Sequence, residues 1–300
     1  MTIKTELETY YIDVNNVTLH VKMAGPTDGD VVLLLHGFPE FWYGWKAQID
    51  VLASAGYRVI VPDQRGYNLS SKPSAVEAYR MRELVADVIG LIDYSGHEKV
   101  YLVGHDWGGG VAWATAIRRP ERIRKLAILN TPHPGVFLDQ LRSNPVQMLR
   151  SVYMGVFQIP ALPEAMLMIG DGMGAANLLR LGSKPGTFKD ADIAEYIKAW
   201  KRPGAMTAML NWYRASGRKP SSANPSSGGA SPSPRVTVPT LLIWGTKDVA
   251  LGEELASPSI AMCDEGRLVT FTEAGHFIAH EKPDEVNALL VEFISEAGQV

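Results

Sequence analysis

In the run Val103-Gly104-His105-Asp106-Trp107-Gly108-Gly109 an aspartate occupies the apex of a frame whose serine counterpart is the nucleophile elbow. Residues 99–103 read as a short buried strand and residues 110–117 as a helix, so Asp106 falls on the turn between them. The flanking Gly104 and Gly108 allow the close strand-to-helix packing that such a turn requires. A serine there would attack an acyl carbonyl. A carboxylate attacks a saturated carbon that bears a leaving group, and its own carboxyl then becomes the ester carbonyl that water must open. Epoxides and alkyl halides are the two substrate classes suited to this chemistry. Helix N-capping is the ordinary alternative role for an Asp at this place. It loses ground because further groups follow in the order nucleophile, acid, base.

Those groups lie downstream in two turn sequences. Asp248 follows Ile243-Trp244 in Gly245-Thr246-Lys247-Asp248, and His276 follows Phe271 in Thr272-Glu273-Ala274-Gly275-His276. Asp248 can orient the imidazole and stabilise its charged form, while His276 takes a proton from the hydrolytic water. An earlier loop, Leu35-His36-Gly37-Phe38-Pro39-Glu40, supplies an oxyanion site. Its donors are the backbone N–H groups of Phe38 and of Trp107, the residue after the nucleophile. His36 reads as a structural loop residue.

The elements that must position these groups are legible as short apolar runs. Residues 10–14 and 17–21, separated by Asn15-Asn16, read as a hairpin at one sheet edge. Runs at 31–35, 58–61, 100–103, 126–129, 238–244 and 268–271 alternate with helical or turn-rich segments, the pattern of a mostly parallel sheet with helices on both faces. Between Pro132 and Pro234 the strand rhythm stops and Met-rich helical segments take over, as at 164–169 and 193–200. The expected organisation is a core of residues 1–134 and 235–300 with a helical cap at 135–234. The Pro, Ser and Gly-rich stretch 220–234 reads as a flexible connection ending the cap. An amphipathic helix through residues 288–293 closes the chain, and no internal repeat interrupts this plan.

Composition narrows the partners. With 300 residues and a formal net charge of -3 the chain offers no electrostatic case for nucleic acid. No apolar run approaches the length of a membrane span. The single cysteine, Cys263, reads as a buried apolar residue and favours a reducing compartment. Residues 1–8 lack the apolar segment of a signal peptide, so a cytoplasmic protein is expected. Neither a cofactor nor a metal is expected, and the oligomeric state is left open between monomer and homodimer.

The motifs HGFPE at 36–40, PDQRGY at 62–67 and GHDWGG at 104–109, with Asp248 and His276, resemble the soluble epoxide hydrolase branch of the α/β-hydrolase superfamily over nearly the whole chain. The resemblance implies an α/β-hydrolase fold with an eight-stranded, mostly parallel sheet and an inserted helical cap. It also implies conversion of a small apolar epoxide and water to a vicinal diol through an ester on Asp106. Two cap tyrosines protonate the departing oxygen in that family, and by analogy these are Tyr153 and Tyr213. Together with Phe38 and Trp107 they would also line the substrate site. Val152 and Gly155 depart from the aromatic-rich surroundings usual for the first tyrosine. GHDWGG is shared with haloalkane dehalogenases, which remain the alternative. A halide leaves as a stable anion and needs only N–H donors, whereas an epoxide oxygen leaves as a basic alkoxide and needs a proton.

Overall fold

The computed structural model describes residues 6–218 and 234–296. The expected flexible connection at 220–234 therefore lies outside the described residues except for Pro234.

The Asn15-Asn16 turn, with both residues at positive φ, closes a hairpin of β1 (Glu8–Val14) and β2 (Val17–Ala24). Asn tolerates this left-handed conformation, which a tight hairpin demands. The following strands are β3 (Val31–Leu35), β4 (Arg58–Pro62), β5 (Val100–His105), β6 (Ile123–Leu129), β7 (Thr240–Gly245) and β8 (Gly266–Phe271). They assemble into one eight-stranded sheet of order β1-β2-β4-β3-β5-β6-β7-β8. The hairpin joins antiparallel through β2 and β4, and every pairing from β4 to β8 is parallel.

Parallel strands covered on both faces bury every side chain, which is why the central ones read as unbroken apolar runs. All five residues of β3 are buried: Val31, Leu33 and Leu35 join the core on one face, Val32 and Leu34 that on the other. The first face is covered by α2 (Met81–Tyr94) and α3 (Asp106–Arg118). The second is covered by α1 (Lys46–Ser54) and α12 (Pro283–Ser295), whose Val286, Leu290 and Phe293 recur at helical spacing on the buried side.

Between β6 and β7 the described residues form six helices: α4 (Pro134–Ser143), α5 (Pro145–Arg150), α6 (Val152–Val156), α7 (Leu162–Leu181), α8 (Asp190–Trp200) and α9 (Ala205–Gly217). They carry Leu179, Tyr196, Trp200, Trp212 and Tyr213 into the same core cluster as α2 and α3. The helix expected over 164–169 is present but breaks earlier than its apolar pattern implies. Ile169 is extended and Gly170, Asp171 and Gly172 have positive φ, so a left-handed turn splits α7. Two short helices, α10 (Ala256–Ile260) and α11 (Ile278–Glu281), flank the last strand. Cys263 is buried, and no helix among the described residues is long and apolar enough to cross a membrane.

Candidate active site

The sequence-predicted triad converges at the carboxyl ends of β5, β7 and β8, where an open parallel sheet places its site. Asp106 is the first residue of α3 and sits at φ +49, a conformation that costs a non-glycine residue free energy. The surrounding structure enforces it. A Cβ on Gly108 would come 2.1 Å from the Leu35 carbonyl oxygen, and one on Gly104 2.5 Å from that of Gly108. Only glycine permits α3 to approach β3 and β5 so closely. The Thr131 hydroxyl donates to the Asp106 carbonyl at 3.1 Å and fastens the turn to the end of β6.

Asp248 lies 2.7 Å from Nδ1 of His276 through its Oδ2. A carboxylate can only accept, so Nδ1 carries a proton and Nε2 is the nitrogen that acts as a base when the ring is neutral. That nitrogen points toward Asp106, 3.7 Å from Oδ2 and beyond hydrogen-bond reach. Asp248 is buried, and its carboxylate also accepts from the backbone N–H groups of Ala250 and Leu251 at 2.8 and 3.0 Å. Burial works against its charge, but His276, the Leu251 N–H and the Asn130 amide outweigh burial and hold its pKa below the usual value. Burial would likewise lower the His276 pKa. Asp248 first, then Asp106 and Glu40, overcome it and raise the imidazole to about 9.

Of the two expected oxyanion donors, the Phe38 N–H donates to Asp106 Oδ1 at 2.6 Å. The Trp107 N–H makes no hydrogen bond to that carboxylate among the described residues. Gly37 explains how the first donor comes so near, since a Cβ there would lie 2.4 Å from Cβ of Asp106. His36 is buried and structural, as expected: its Nδ1 donates to the Gly37 carbonyl and its Nε2 accepts from the Gln64 N–H.

Tyr153 on α6 and Tyr213 on α9 come together, with ring centroids 6.1 Å apart. Tyr213 packs edge-on against Phe38 at 5.3 Å and Trp107 at 5.0 Å, so both residues named as substrate-lining from sequence meet the Tyr213 ring. Phe157, which sequence reasoning did not single out, touches Phe38, Tyr153 and Tyr213 and closes the aromatic wall. Burial, reinforced by Asp106 and Asp248, pushes the Tyr153 phenol above its ordinary pKa. Burial also raises Tyr213, with Tyr153, Asp106 and Tyr67 adding to it and the Trp107 indole opposing. Both phenols are therefore protonated at neutral pH.

Three further groups were not legible as functional. Asn130, at positive φ after β6, donates from Nδ2 to Asp248 Oδ2 at 2.8 Å and fixes the acid. Glu40 is buried at the centre of a network: its carboxylate accepts from the Tyr196 hydroxyl at 2.7 Å and contacts His280 at 2.7 Å and His105 at 3.2 Å. Burial opposes its ionisation, yet His280 and His105 hold it well below the usual carboxylate range. His105 in turn donates from Nε2 to the His276 carbonyl at 2.9 Å, so the network reaches the base through its backbone. No group of three or more His, Cys, Asp or Glu among the described residues is arranged to hold a metal ion.

Residues 30–283 match the family model described as the alpha/beta hydrolase fold. The chain is 46% identical to the AB hydrolase superfamily protein YfhM of Bacillus subtilis, over 95% of this chain and 96% of that one. It is 36% identical to epoxide hydrolase 4 of Mus musculus, over 94% of this chain and 77% of the relative. Among solved structures, the Bacillus megaterium epoxide hydrolase in complex with an inhibitor superposes with a TM-score of 0.85 at 34% identity, covering 95% of this chain and 99% of that one.

Proposed function

The chain belongs to the soluble epoxide hydrolase branch of the α/β-hydrolase superfamily, and from that membership we propose that it converts an epoxide to a vicinal diol through an ester on Asp106. The observation that carries the reading is the pair of protonated phenols beside the nucleophile, Tyr213 buried and Tyr153 half-buried. An alkoxide is far more basic than a phenolate, so a proton moves downhill from either phenol to the opening ring oxygen. A departing halide would have no use for that proton.

The two carboxylate oxygens of Asp106 differ in their surroundings and so in their roles. Oδ1 is already held by the Phe38 N–H, which leaves Oδ2 to attack a ring carbon. As the C–O bond forms, the ring bond breaks and its electron pair takes the phenolic proton. Oδ1 is then the ester carbonyl oxygen, in place to become the oxyanion when water adds to Cγ. His276 Nε2 removes the proton of that water, and Asp248 stabilises the imidazolium. Collapse of the tetrahedral adduct expels the diol oxygen, which takes its proton from the imidazolium; the second water proton, left on the Asp106 carboxyl, returns to the phenolate, so that Asp106, His276 and the tyrosine are all regenerated. We assign residues 135–234 as the cap, because α6 and α9 deliver both phenols.

A paired assay with styrene oxide and a bromoalkane tests the reading. Diol formation is expected from the first substrate, with bromide release from the second absent or far slower. In Tyr153→Phe/Tyr213→Phe, diol formation should be lost. Bromide release that survives the double change and collapses in Trp107→Phe would instead make the protein a haloalkane dehalogenase.

A further inference from the structure

His276 is held at its backbone as well as at its ring, and one of those holds comes from the helical insertion. Its N–H donates to the carbonyl of Gly182, the residue that ends α7, at 2.9 Å. One turn further along the chain, Glu281 Oε2 accepts from the N–H of Gly275 at 2.9 Å and from the N–H of Lys184 at 3.1 Å. A single carboxylate oxygen thus ties the residue before the base to the loop that follows α7. The second oxygen, Oε1, is buried and has no hydrogen-bond partner among the described residues.

Close packing makes the joint rigid. A Cβ on Gly275 would lie 2.8 Å from the Gly182 carbonyl oxygen, and one on Gly182 would lie 2.8 Å from the Phe277 ring. The two loops therefore meet backbone to backbone at Gly182 and Gly275, with the Phe277 ring and the Glu281 carboxylate packed against the joint. Displacement of the α7 to α8 loop would pull directly on the His276 peptide.

We propose that Glu281 is a positioning residue that couples the seating of the helical insertion to the placement of the catalytic base. The inference rests on the proposed two-step reaction. Only the second step needs a base, so loosening this joint slows hydrolysis of the Asp106 ester and leaves its formation nearly intact. The carboxylate acts through its acceptor oxygen, and the amide of Gln offers the same acceptor to both N–H groups.

Single-turnover kinetics followed by quenched-flow intact-mass spectrometry separate the two steps. In Glu281→Ala, hydrolysis should fall roughly 10- to 100-fold, the range expected when a reacting group is misplaced by about an ångström. Ester formation should change by less than about twofold, so the covalent adduct accumulates. Glu281→Gln should restore most of the hydrolysis rate. Gly182→Ala, which presses on Phe277 from the insertion side, should reproduce the selective loss if Glu281→Ala does not fold. Equal slowing of both steps, or a Gln variant as slow as the Ala variant, would overturn the coupling. Absence of any adduct in His276→Gln would instead overturn the two-step reading itself, so the two failures are distinguishable.

Discussion

At the scale of single residues, the site assigns separable chemistry to Asp106 and His276. Asp106→Ala should abolish diol formation, whereas His276→Gln should still be alkylated and stop at the ester. Intact mass after excess epoxide is the measurement: an adduct is expected on the His276 variant, and substrate consumption without one would indicate direct attack by water. The ionisation of the base adds a second expectation. In the free protein Asp106 helps to raise His276 to about 9. Ester formation removes that charge, so the base must titrate lower in the intermediate than in the resting protein. Hydrolysis needs neutral imidazole, hence its single-turnover rate should rise with pH along a limb whose midpoint falls below 9. A midpoint at or above that of the resting protein would show that Asp106 has not been neutralised when the base acts.

Among the elements, the close approach of the β3 loop to the elbow sets the position of the oxyanion donor. Gly37→Ala would drive a Cβ into the Asp106 side chain, and the loop carrying the Phe38 N–H must retreat. Losing one such donor costs about 3 to 4 kcal/mol of transition-state stabilisation, so diol formation should drop by roughly 10²- to 10³-fold. Full activity in this variant would show that the donor is dispensable. The elbow, the strand ends and the order of the triad were legible in the sequence because each leaves a local mark: a glycine frame, a buried apolar run, a turn sequence after the run. Glu40, Asn130 and Glu281 leave none. Glu40 meets Tyr196 and His280 at chain separations of 156 and 240 residues, and only the assembled sheet and the packed insertion bring them together. Asn130 reads in the sequence only as a polar residue after a strand, yet its amide orients the acid from a neighbouring strand end. The break in α7 was signalled by Gly170-Asp171-Gly172, but the apolar pattern before it carried the expected helix through Ile169.

Over the whole molecule, the insertion must remain seated on the sheet, and one imidazole ties its two ends. His133 precedes α4, and its Nδ1 accepts from the Gly135 N–H at 3.2 Å, capping the first helix of the insertion. Its Nε2 must then carry the proton, and it donates to the Pro234 carbonyl at 3.1 Å, where the chain returns toward β7. The Ser259 hydroxyl receives the His133 backbone N–H, and the Trp113 ring packs on the imidazole, so no charged group appears among these contacts. Burial lowers the His133 pKa, with the Pro234 bond opposing. The folded protein therefore resists protonation of a group that the unfolded chain protonates near 6.5. Its contribution to stability is present above that pH and declines as the pH falls below it. Loss of the cap in His133→Ala should cost about 0.5 to 2 kcal/mol. His133→Asn should recover the capping part, since Asn is a good N-cap, but not the bond to Pro234. Both variants should lose less stability between pH 7 and pH 5 than the unsubstituted protein, because neither has an imidazole to protonate there. Chemical denaturation at the two pH values measures the difference, and equal pH dependence in all three proteins would show that His133 does not titrate as a buried tie between the ends of the insertion.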